Sequence, residues 1–72
     1  MNEAEELVRQ FLRKWSTVEL DAAARRALKE DARQTKTLLE VLGADTELLE
    51  EAEHAPDRQW FAKQFQELCT DA

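Results

Sequence analysis

Seventy-two residues with a net charge of −6 and a pI near 4.7 describe a single small acidic domain, which repels phosphate at long range and excludes a general attraction to nucleic acid. One cysteine and one histidine exclude an internal disulfide and a Cys/His zinc cluster. One glycine, one proline and no tyrosine, in a chain dominated by Ala, Leu, Glu, Arg, Lys and Gln, exclude a hairpin-rich fold and point to helices.

The first helix is expected over residues 3–15. Asn2 is a good N-cap, with Glu5 three residues on as in a capping box. Ala4, Leu7, Val8, Phe11, Leu12 and Trp15 recur at three- and four-residue spacing and form one apolar stripe. Acids lead (Glu3, Glu5, Glu6) and bases trail (Arg9, Arg13, Lys14), which suits the helix dipole. The segment from Ala4 to Ser16 resembles the first helix of ketosteroid-isomerase-like (SnoaL-type) domains. The strands of that fold have no counterpart in the rest of the chain, and the likeness is set aside.

Ser16 and Glu19 make a second capping box, so a long helix is expected over 17–42, with Gly43 as its left-handed terminator. At 1.5 Å per residue such a rod is about 39 Å long and forms the spine of the fold. Its C-terminal end is heavy with Leu38, Leu39, Val41 and Leu42, whereas its first half carries mainly alanine and Leu28. Asp31 falls within the apolar face, and an unpaired buried carboxylate is costly. Three readings are open: Asp31 caps a break in the helix, it lies at a wet edge, or Ala24, Ala27, Asp31 and Thr35 form a homodimer seam in which a polar residue fixes register. On the opposite side Arg25, Lys29, Arg33 and Lys36 form a basic row.

A short acidic helix is expected over 46–54, capped by Asp45 and stopped by Pro56, and a last helix over 57–70 with Phe61, Phe65 and Leu68 on one side. Trp60 points about 100° away from Phe61, beside Gln64 and Glu67. The connections are short, so neighbouring helices should pack antiparallel. The expected fold is all-α, a small antiparallel three- to four-helix bundle in one domain.

Charge is unevenly distributed. Residues 1–36 hold eight bases and seven acids, whereas residues 37–72 hold two bases and nine acids, and no base lies between Thr37 and Asp57. The acids from Glu40 to Asp57 suit a basic partner surface, or a mimic of a phosphate row. Glu50 and His54 share a helix face, but a third metal ligand is not evident, and no metal or cofactor is expected. No nucleophile–base pair or glycine-rich loop suggests an enzyme. Cys69 reads as a packing residue.

A chain this short buries only about 60% of its unfolded surface, so some apolar area is left for a neighbour. The expected function is therefore a non-catalytic accessory or regulatory module that docks on another protein. The expected contacts are Trp60 and Gln64 with Glu47, Glu50 and Glu51 of the acidic helix, Trp being frequent among binding hot spots. The alternative is a nucleic-acid role, either binding through the basic row or acidic mimicry. No apolar run is long enough to span a membrane. The acidic opening is the wrong polarity for a signal peptide, and a lone cysteine fits a reducing compartment, so a cytoplasmic location is expected.

Overall fold

The computed structural model describes residues 2–70, with the side chain of Thr70 excepted. Four helices form a small all-α bundle: α1 (Glu3–Trp15), α2 (Ala22–Val41), α3 (Glu47–Ala52) and α4 (Arg58–Thr70). The molecule measures 32 × 26 × 15 Å. The short dimension admits two layers of helices at interaxial distances of about 8–10 Å, and no third.

Local chemistry explains where each helix begins and stops. Asn2 caps α1, its Oδ1 accepting from the Glu5 backbone N–H at 2.8 Å. The second helix starts later than the capping pattern at Ser16 predicts. The Ser16 hydroxyl turns back and donates to the Arg13 carbonyl at 2.7 Å, and Thr17 donates likewise to the Lys14 carbonyl at 2.9 Å. Both hydroxyls thus serve the end of α1. Asp21 caps α2 instead, accepting from the Ala24 N–H at 2.8 Å, and the run Ala22-Ala23-Ala24 follows with the best helix propensity available. Between the two helices Val18 and Leu20 pack against the core.

From Ala22 to Val41 the helix is continuous, so no break occurs at Asp31. It ends in a Schellman motif. Gly43 takes φ +73°, its N–H donates to the Glu40 carbonyl at 3.0 Å, and the Ala44 N–H donates to the Leu39 carbonyl at 2.9 Å. At the start of α3 the backbone cap is Thr46, while the Asp45 carboxylate accepts from the Glu47 N–H at 3.0 Å. Asp57 similarly accepts from the Gln59 N–H at 2.9 Å as α4 begins.

The core draws on every helix: Phe11, Leu12 and Trp15 of α1, Leu28, Ala32, Thr35 and Leu39 of α2, Leu49 and Ala52 of α3, and Phe61 of α4, with Ala55 from the preceding connection. Phe11 and Phe61 meet edge to face, with centroids 6.0 Å apart. The packing order is α4 on α1, α1 on α2, and α2 on α3. The central position is therefore shared by α1 and α2, and α2 is not the only spine. Because α4 lies on α1 and α3 is only six residues long, the C-terminal end of α2 lacks a cover.

Candidate docking surface

The residues expected to form a dimer seam are placed mainly within the chain's own structure. Asp31 is half-buried and accepts a hydrogen bond from the Trp15 indole Nε1 at 2.7 Å. Lys14 Nζ approaches the same carboxylate oxygen at 3.4 Å and stands 5.2 Å from the centroid of the Trp15 ring. The carboxylate that looks costly on a helical wheel is thus paired by a donor and a cation from α1. Thr35 is buried, Ala24 is half-buried against the core, and Ala27 is exposed.

The basic row divides in a similar way. Arg25 reaches across to the connection after α3, where Nη1 donates to the Ala55 carbonyl at 3.1 Å and Nη2 to the Pro56 carbonyl at 2.9 Å. Lys36 Nζ forms an ion pair with Glu50 at 2.9 Å. That hydrogen bond holds the Lys36 ammonium above the usual lysine range, desolvation opposing it more weakly. Lys29 and Arg33 are exposed.

On the expected partner face, Glu47 and Glu51 are exposed, whereas Glu50, also exposed, is engaged by Lys36. Trp60 is half-buried and lies edge-on to Phe61, with centroids 5.0 Å apart, so much of its ring belongs to the interior. Gln64 is half-buried. Among the described residues no three His, Cys, Asp or Glu side chains are grouped so as to hold a metal ion. None of the described helices is long and apolar enough to cross a membrane.

A second surface emerges that sequence reasoning missed. In the last turns of α2, Leu39 is fully buried, but Leu38 is 51% exposed, Val41 80% and Leu42 43%. These three are the large hydrophobic side chains that stand exposed among the described residues. Together with Leu7 of α1 they line an open groove of about 300 Å³, rimmed by Glu3, Glu6 and Gln10. A single exposed valine or leucine is ordinary, whereas several around one concavity make a candidate docking surface. The signal was present in the sequence as four large apolar residues among five positions. One helix face cannot bury all four, and periodicity does not say which are left out.

Polar groups around the groove are mostly acidic. Glu6 accepts from Gln10 Nε2 at 3.1 Å and stands 3.9 Å from Arg9, which reaches it from one turn along α1. Glu3 and Glu6 are both exposed. The last turn of α2 carries no basic residue. No family model matches this chain, and no curated protein or solved structure matches it either.

Proposed function

We propose that this protein is a small non-catalytic accessory module of the cytoplasm that docks on a partner protein, and that it docks through the groove between α1 and the end of α2. One observation carries the reading: Leu38, Val41 and Leu42 stand exposed together beside a fully buried Leu39. Burying apolar surface contributes about 25 cal/mol per Å², so covering these side chains supplies a driving force that the isolated chain does not use.

The groove is preferred to the face formed by Trp60, Gln64, Glu47, Glu50 and Glu51. Trp60 already packs on Phe61, whereas Leu38, Val41 and Leu42 stand exposed. A homodimer through Ala24, Ala27, Asp31 and Thr35 is likewise less favoured, because Asp31 and Thr35 are occupied within the chain. A nucleic-acid role through Arg25, Lys29, Arg33 and Lys36 loses support because the two end members are committed to Ala55, Pro56 and Glu50.

A photo-crosslinking side chain placed at Val41 in the native cell tests the reading. The expected result is one discrete product that is lost when Leu38→Asp is added and is absent when the crosslinker stands at Arg33 instead. Equal labelling from both positions would refute it. A salt-sensitive shift of duplex DNA by the purified protein would move the assignment to nucleic acid.

A further inference from the structure

We infer that the occupant of the groove is a cationic amphipathic helix of another protein, one that seats apolar side chains on Leu38, Val41 and Leu42 and carries lysine or arginine along its flanks. The inference rests on the docking reading and adds to it the charge class of the partner.

Two independent features of the groove set that class. The charged side chains that line it are Glu3 and Glu6; Arg9 stands 3.9 Å from Glu6 but does not line the groove, and Glu3 adds its charge to the same wall. The other wall is the last turn of α2, which carries no lysine or arginine. Farther out the sequence holds no base from Thr37 to Asp57. The charged side chains beside the apolar floor are therefore of one sign, and a partner bringing cations meets them. The helical form follows from the setting. A groove between two packed helices is where a third helix completes a layer, with anchors spaced three and four residues apart.

A second copy of this chain fits less well. A twofold contact, groove to groove, would oppose Glu3 and Glu6 to their own counterparts. Seating the basic part of one α2 in the groove of another copy would be head-to-tail, a contact that closes only into a ring or else continues as a filament.

The full chain, labelled with 15N, is titrated with two synthetic peptides of about 14 residues that share a leucine spacing. One carries lysine at its remaining positions and the other glutamate. The lysine peptide should shift the amides of Leu7, Leu38, Val41 and Leu42 and bind about tenfold more tightly than the glutamate peptide. That preference should shrink at about 500 mM salt, where the screening length falls to a few ångströms. Glu3→Gln with Glu6→Gln should narrow it to about threefold while leaving the helical circular dichroism intact.

Equal binding of the two peptides, or preference for glutamate, overturns the cationic assignment and leaves the docking reading standing. Lysine-peptide shifts centred on Glu47, Glu50 and Glu51 also overturn it. Concentration-dependent shifts of the groove amides without peptide, with a doubled mass by light scattering, give the groove to a second copy. Silence toward both peptides at millimolar concentration, with a monomeric mass, removes the docking reading itself.

Discussion

The two ends of α2 solve the same problem in opposite ways. Toward its N-terminal half, Leu28 and Ala32 are sealed in the core, and the acid on that face, Asp31, accepts a hydrogen bond from Trp15 and pairs with Lys14. Toward its C-terminus the helix carries more large apolar groups than its neighbours can cover, and three remain in solvent around a groove with acids on its rim. An acid on a helix face therefore does not mark an exposed position here, and a large apolar side chain does not by itself mark a buried one. Which neighbours are available to cover each turn decides both.

The strongest test of that contrast uses two residues almost side by side. Leu39→Ala removes a fully buried side chain and should cost about 2–5 kcal/mol of unfolding free energy, while Val41→Ala should change it by under about 0.5 kcal/mol. Urea midpoints measure both, and similar losses would mean that the end of α2 is covered. Next in size is the Asp31 contact. Trp15→Phe keeps most of the buried ring but removes the indole donor, at an expected cost of about 1–3 kcal/mol. Asp31→Ala should cost less in the Trp15→Phe background than alone, the difference being the coupling energy of the pair, and equal losses in the two backgrounds would mean that the indole and the carboxylate do not interact.

A smaller loss is expected at Arg25. Arg25→Met retains an apolar stem and gives up the bonds to the Ala55 and Pro56 carbonyls, for about 1 kcal/mol. The smallest stability effect sharpens the open end. Leu38→Asp, which leaves position 41 free for the crosslinker, should cost about 0.5–1 kcal/mol, a shift of a few degrees in the thermal midpoint, while abolishing the crosslink described above. For the Lys36–Glu50 pair the sign follows from the raised lysine: its contribution is present below the ordinary lysine value of 10.5 and is lost as pH rises through the raised one. The difference between the parent and Lys36→Met should therefore be flat from about pH 7 to about pH 9 and vanish only in strong alkali.

Much of this architecture was legible in the residues because its signals are local. The bounds of α1 follow from Asn2 and the stripe ending at Trp15, and the end of α2 follows from Gly43. The start of α2 was not legible, since Ser16 and Glu19 satisfy a capping pattern on paper while the Ser16 hydroxyl is drawn back to the Arg13 carbonyl. Nor was the partner of Asp31, because Trp15 lies sixteen positions away and a wheel compares a helix only with itself. The groove escaped for a related reason. Leu38, Leu39, Val41 and Leu42 are alike in hydrophobicity, and only the tertiary packing determines that one of them is buried and three are not.

The reach of Arg25 across to the stretch after α3 has a mechanical side. Six residues make too short a helix to persist alone, so α3 owes its persistence to being tethered, by Arg25 at its trailing end and Lys36 along its length, in addition to the anchoring of Leu49 and Ala52. Such a segment is expected to open as a unit. Amide exchange across residues 47–55 should proceed at one shared rate, faster than at Phe11 or Leu12, and cutting the Arg25 tether should raise that rate several-fold and make this hammock the first place a protease enters.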